Sequence, residues 1–301
     1  MLWLIVAISS YFLFAAVALV DKYLLGGLIP SPKVYVFYVG IFGILALVLI
    51  PFGFLIPAPS QILLALSVGA FHILGVFAYF NGLKNFEASR VIPAIGGLAP
   101  LFTLGLTYLL LGENETLSFI EITAFILLIL GSILISWEKS KNITLKSLQI
   151  SALAAFLFSL YYVLAKLVYL EQPFISGFIW TRLGAFLIAI IFLFSKEVQE
   201  EIFVKRKTFK LKTWGIFLPN VAAAGGAFFL QNWAIALAGV TYVAVISALI
   251  GVQYVFLLFF AIVISLKFPK VLKEDISKKT IFQKTFAVLL LGAGLAILAC
   301  T

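Results

Sequence analysis

The chain has little of what soluble enzymes and metal proteins are built from. It holds one cysteine, Cys300, one histidine, His72, and one methionine in 301 residues. A single cysteine excludes an internal disulfide and a multi-cysteine metal site. A single histidine excludes a multi-histidine metal centre. Asp and Glu together number 12, and charged residues make up only 11% of the chain. There is no Gly-x-x-x-x-Gly-Lys loop for nucleotide phosphates and no carboxylate cluster for a divalent cation. Nothing sets a base beside a nucleophile with an orienting acid, so the sequence predicts neither an enzyme nor a cofactor. The first residues, MLWLIVAISSYFLFAAVALVDK, lack a basic region and a small-residue cleavage site. They read as a retained first span and not as a signal peptide.

What is present is apolar: 64% of residues are hydrophobic and the mean hydropathy is +1.20. One soluble core cannot hide that much apolar surface, whereas a bilayer acts as its solvent. The runs are continuous and do not alternate, which selects helices over a barrel. Ten spans are expected, at 2–20, 34–56, 61–82, 91–111, 118–137, 148–168, 174–195, 214–236, 241–265 and 284–300. Gly26-Gly27 with Pro30 and Pro32, then Pro51, Pro57 and Pro59, and later Asn142 and Thr144, mark breaks between them. The loops after spans 1, 3, 5, 7 and 9 carry 19 of the 21 Lys and Arg residues. The positive-inside rule therefore makes those loops cytoplasmic and puts both termini outside the cell's inner (plasma) membrane. The net charge of +9 reads as basic loops facing anionic lipid, not as a nucleic-acid surface.

The chain also resembles itself. SYFLFAAVALVDKYLL (10–25) lies on AAFLFSLYYVLAKLVY (154–169), bringing Lys22 onto Lys166, and Tyr38 onto Arg182 at the same offset. FNGLKNFEASRVIPAIGGLAPLF (80–102) lies on NWAIALAGVTYVAVISALIGVQY (232–254). The order is kept through five spans, an odd number, so the halves have opposite orientations, as in transporters with inverted repeats. The expected fold is an all-α integral membrane protein with ten transmembrane helices. They form two inverted five-helix repeats, 1–140 and 141–301, around a central cavity. One chain holds both repeats, so a monomer suffices.

Ala88-Ser89 before the fourth span, Pro100 within it, Gly112-Glu113 at its end, Lys22 and Lys166 after the first span of each half, and Arg182 early in a second span give the chain a family look. It resembles the EamA-like branch of the drug/metabolite transporter superfamily. It departs at Val252 and Ser265, opposite Pro100 and Glu113, and at Tyr38, opposite Arg182. The resemblance implies transport of small organic metabolites, such as amino acids or related solutes, by alternating access and in the direction of export. It also implies a cavity lined by spans 1, 3, 4, 6, 8 and 9.

Polar groups inside the spans are the candidate site. Arg182 lies about 12 Å into its span at about 1.5 Å per residue. A charge there faces a cavity or a partner, and no carboxylate is expected at mid-span, because Asp21, Glu87, Glu113, Glu115, Glu121, Glu138 and Glu171 fall near span ends. Arg182 thus either bonds helix-end carbonyls or meets an anionic substrate group. His72 is either a packing residue or a proton carrier. His72, Gly75 and Tyr79 share one helical face. Asn81, Ser159, Tyr162, Gln231, Asn232 and Gln253 complete the candidate substrate-binding set, and Tyr11, Asn220 and Tyr254 add to it. The alternative for each is interhelical hydrogen bonding. Pro93 and Pro100 are read as hinge positions, with Gly96, Gly97 and Ala99 leaving room for close approach. The shortage of buried acids favours facilitated diffusion, or weak proton coupling through His72. Two other functions stay open: a flippase for lipid-linked sugars, and a scaffold without transport in which Arg182 and His72 are satisfied by neighbouring helices.

Overall fold

Long apolar runs cut by proline and glycine fold into helices, because in lipid each backbone N–H and C=O must be satisfied within its own segment. The computed structural model describes residues 2–29, 31–86, 88–111, 117–136, 145–205, 211–267 and 278–300. Among them nine helices are long and apolar enough to cross a membrane, and a tenth is shorter. In chain order they are α1 (Leu2–Leu28), α2 (Pro32–Phe52), α3 (Pro59–Asn85), α4 (Val91–Leu110), α5 (Phe119–Ile135, the shorter one), α6 (Leu145–Glu171), α7 (Phe174–Phe194), α8 (Thr213–Leu237), α9 (Tyr242–Phe260) and α10 (Phe282–Cys300). The chain is a ten-helix, all-α membrane protein. Glu87, Gly112-Glu113, Glu115, Trp137, Glu138, Asn142 and Thr144 lie outside the described residues.

Two helices differ from the expected spans. The first does not stop at residue 20. It runs on through a π-helical turn, Leu24–Leu28, and so carries Asp21 inside it. The second starts as an α-helix, Pro32–Ile41, and tightens to a 3₁₀ helix over Phe42–Phe52 before Gly53 ends it at φ 100°. The tighter winding rises about 2.0 Å per residue against about 1.5 Å, so α2 gains length from few residues. Pro93 and Pro100 both sit within one uninterrupted helix. The ring of Tyr254 packs on Gly96, whose carbonyl loses its partner to Pro100: a Cβ at Gly96 would lie 3.4 Å from that ring.

The bundle is assembled chiefly from the pairs α3–α6, α4–α6, α1–α8, α5–α10 and α3–α7. Lipid gives no hydrophobic drive between helices, so small residues and polar bonds decide where they touch. The crossing of α3 and α7 is backbone against backbone. A Cβ on Gly69 would overlap the Thr181 carbonyl oxygen, and one on Gly184 the Leu66 carbonyl oxygen. On the other side of α7, Gly40 lies directly against Ala189, and Gly43 is 2.8 Å, measured from an added Cβ, from the Arg182 carbonyl oxygen. Hydroxyls stitch further pairs: Ser10 Oγ donates to the Ala227 carbonyl at 2.8 Å, and Ser159 Oγ to the Ala99 carbonyl at 2.8 Å.

At the end bearing Lys22, Lys33 and Lys84, a short helix after α7 (Lys196–Gln199) meets the start of α2. Ser31 Oγ donates to Glu197 at 2.7 Å and Lys33 Nζ at 2.9 Å. These two donors, Ser31 foremost, hold the Glu197 carboxyl below its ordinary range. The pair is exposed, so its worth is about 0.2–1 kcal/mol and falls with salt. A depressed acid stabilises above its unfolded pKa, and that contribution goes as pH falls through the folded value.

The glycine contacts yield a direct expectation. Gly184→Leu should lower stability by about 1–3 kcal/mol through overpacking, read as thermal unfolding in detergent. Gly26→Ala, with nothing within 4 Å of the new Cβ, should change little. Equal melting of Gly184→Leu and wild type would contradict the α3–α7 crossing.

Candidate functional site

The middle of the bundle is built around two adjacent tyrosines. Consecutive helical residues point about 100° apart, so Tyr161 and Tyr162 on α6 reach different parts of α8. Tyr162 Oη meets Tyr11 Oη of α1 at 3.0 Å and accepts from Gln231 Nε2 at 2.8 Å. Tyr11 donates to the Ile246 carbonyl on α9 at 2.6 Å. Asn232 Nδ2 donates to Tyr161 Oη at 3.0 Å and to the Phe228 carbonyl at 2.8 Å, while Tyr169 donates to Asn232 Oδ1 at 2.7 Å. Tyr161 Oη also donates to Gln231 Oε1 at 3.5 Å, which joins the chain Tyr11–Tyr162–Gln231 to the chain Tyr161–Asn232–Tyr169. They tie α1, α6, α8 and α9 together at depth.

Arg182 stands beside this network and does not join it. Its guanidinium carbon lies 4.9 Å from the centre of the Phe228 ring, a cation–π contact. Gly43 lines the other side: an added Cβ there would be 3.4 Å from Arg182 Nη2 and 3.6 Å from Nε. Among the described residues no hydrogen bond and no carboxylate reaches this cation. His72 packs within 4.3 Å of Phe228 and 5.0 Å of Tyr161, ring centre to ring centre, and Arg182 is near enough to act on it electrostatically. Among the described residues, His72 Nδ1 is buried without a hydrogen-bond partner, and so is Thr181 Oγ1 next to Arg182. The sequence reading left two roles open for Arg182. Capping by helix-end carbonyls is not what the geometry shows.

The other candidates scatter. Ser159 is fully buried, bonded to Ala99 and to its own helix at Ala155. Asn81 is bonded by Asn85 Nδ2 at 2.8 Å along α3, away from Arg182. Tyr79 stacks on Phe80 at 5.4 Å and lies within electrostatic reach of Asp21 and Tyr254. Gln253 is half-buried on α9. The two lysines paired by the internal repeat behave differently: Lys22 is exposed, whereas Lys166 is buried and donates to the Ala238 and Ala236 carbonyls at 2.6 and 3.3 Å, at the end of α8. That is a cation on a helix C-terminus, where the dipole favours it.

One expectation is overturned. Asp21 is not a span-end acid but lies inside α1, enclosed by α2 and α8. Its Oδ1 accepts from Tyr35 Oη and from Asn220 Nδ2, the latter at 2.6 Å. Tyr35 and Asn220 are both buried. The sequence marked Asn220 but missed Asp21, Tyr35, Tyr161, Tyr169 and Phe228. Asp21 next to Lys22 looks like a water boundary, and a tyrosine or phenylalanine in an apolar run carries no signal of its partners.

Residues 1–137 match the EamA-like transporter family. That match covers the part of the chain that holds α1 to α5. A solved structure titled "Crystal structure of protein" superposes with a TM-score of 0.69, covering 98% of this chain and 97% of its own at 16% identity. At that identity the likeness is one of fold, and it extends through both halves. No curated protein matches the chain. The EamA-like segment contributes α1 to α5 and thus Asp21, Tyr35 and His72. Arg182, Phe228 and the tyrosine pair come from the second half.

The network and the arginine predict opposite responses. A double-mutant cycle of Tyr162→Phe and Gln231→Leu should show coupling of about 0.5–1.5 kcal/mol in unfolding, the range for hydrogen bonds between membrane helices. Arg182→Met, which removes a cation that has no hydrogen bond or carboxylate among the described residues, should leave stability unchanged or raise it. A loss above about 3 kcal/mol for Arg182→Met would mean that the guanidinium is a structural bond.

Proposed function

We propose that the chain is a secondary transporter or facilitator of small organic metabolites with an anionic group, of which amino acids are one class. It works by alternating access between two inverted five-helix halves, 1–140 and 141–301, in the direction of export. The observation that carries this is Arg182: a permanent cation deep in the bundle, held against the Phe228 ring, with no acid beside it among the described residues. Inside a membrane such a charge is expensive and persists where it serves a pathway. A planar guanidinium presents donors in a fork that matches a carboxylate. Phe228 and Tyr161 stack at 5.6 Å beside it and offer an apolar wall. A scaffold would have satisfied both Arg182 and His72, yet among the described residues no hydrogen bond reaches Arg182 and His72 Nδ1 has no partner. The family of residues 1–137 points the same way. The ends bearing Lys22, Lys33 and Lys84 fit the cytoplasmic face of the inner membrane, with both termini outside.

Proteoliposomes loaded with a mixed pool of amino acids and related metabolites test this. Wild type should release a defined anionic or zwitterionic subset. Arg182→Ala should lose it by at least about tenfold, equivalent to about 1.4 kcal/mol of binding, with the fold intact. Arg182→Lys should recover part, while Asn81→Ala, remote from the arginine, should change little. Release of the same subset by Arg182→Ala at the wild-type rate would reject the site, and no release by folded wild type would reject transport.

A further inference from the structure

Asp21 belongs to neither the tyrosine network nor the arginine site. It lies on α1 toward the basic-loop end, and donors from both halves converge on one of its oxygens. Tyr35 of α2 belongs to the first half, Asn220 of α8 to the second. Asn220 Nδ2 also donates to Tyr35 Oη at 3.3 Å, closing a three-residue ring. The ring is packed in aromatic surroundings: Tyr35 meets Phe80 at 5.2 Å and Phe217 at 5.7 Å, edge to face. No hydrogen bond among the described residues reaches Oδ2. Ionisable neighbours are few. Tyr79 faces it from α3. Of the lysines at this end, Lys22 and Lys84 are exposed and Lys33 is paired with Glu197.

This arrangement selects among cations. A metal ion needs lone pairs, yet the groups aimed at Oδ1 present hydrogens. The remaining oxygen, Oδ2, can take a proton. We propose that Asp21 is a reversible proton-binding site that latches the two halves of the bundle at its basic-loop end. Ionised, the carboxylate draws both donors and holds α2 and α8 to α1. A proton from water bonds to Oδ2, the charge disappears, and the two bonds fall to about half their strength. The aromatic cluster beyond the ring then loosens, where Trp214 lies 6.1 Å from Phe42 and 6.0 Å from Phe217. Asp21 is then a titratable group inside the bundle, whatever solute is carried.

The test needs no substrate. The full chain is reconstituted in liposomes and followed by infrared difference spectroscopy between pH 4 and pH 9. Wild type should show the C=O stretch of a protonated carboxylic acid that titrates, and D21N should lack it. Asn220→Ala, which keeps the acid and removes one donor to its charged form, should move the midpoint to higher pH. Trp214 emission should change with the same midpoint, and the change should be absent from W214F and D21N. An unchanged band in D21N, or an unmoved midpoint in Asn220→Ala, overturns the proton site. A titrating band without a Trp214 response overturns the latch.

Discussion

Lipid offers no hydrogen bonds, and this single constraint orders the whole molecule. Each hydroxyl, amide and charge brought into the bundle must find its partner in another helix or in what passes through. Many of the hydroxyls and amides found theirs. Ser10, Ser159, Tyr11, Tyr162, Gln231 and Asn232 are paired across helix boundaries, and Lys166 closes the end of α8. Against that background an unsatisfied group stands out, and Arg182 is the costliest kind. A neutral side chain left without a partner costs a few kcal/mol at most in a protein interior, whereas a charge costs more and persists only where it serves something.

The position of that charge follows from glycine. Gly69 and Gly184 let α3 and α7 cross with their backbones in contact, and Gly40 and Gly43 do the same for α2 and α7. With α7 clamped from two sides, Arg182 has little choice of direction. Gly43 leaves the space along which its side chain runs, and Phe228 of α8 closes the far side. A larger residue at 43 would meet the Arg182 carbonyl oxygen before it reached the guanidinium. The local winding of α2 changes to 3₁₀ at Phe42, beside this contact.

Span number and most span limits were legible because they depend on one-dimensional hydropathy and on proline and glycine as stops. Arg182 was legible for the same reason: an arginine eight residues into an apolar run needs an explanation whatever the fold. Pairing was not legible. Tyr161 and Tyr169 are ordinary in an apolar sequence, and only the packing of α6 on α8 shows that they hold Asn232. Asp21 was misplaced for a different reason. The Asp-Lys step after twenty apolar residues looks like an end, but a π-helical turn adds Leu24–Leu28 and keeps the helix going. The repeat also misleads in detail, since Lys22 and Lys166 align yet one is exposed and the other buried.

The two charged sites are joined by one helix. Asn220, at Asp21, and Phe228, at Arg182, are eight residues apart on α8, which is about 12 Å at about 1.5 Å per residue. Unit charges about 12 Å apart interact by about 1.4 kcal/mol with an effective dielectric near 20, which sets the scale for coupling between the two proposed sites. On the proposed roles, an ionised Asp21 would repel an anion arriving at Arg182, and protonation would remove that repulsion. By linkage the bound anion would favour the proton by the same factor. The sign is fixed by the chemistry of the two residues: proton and anion assist each other's binding.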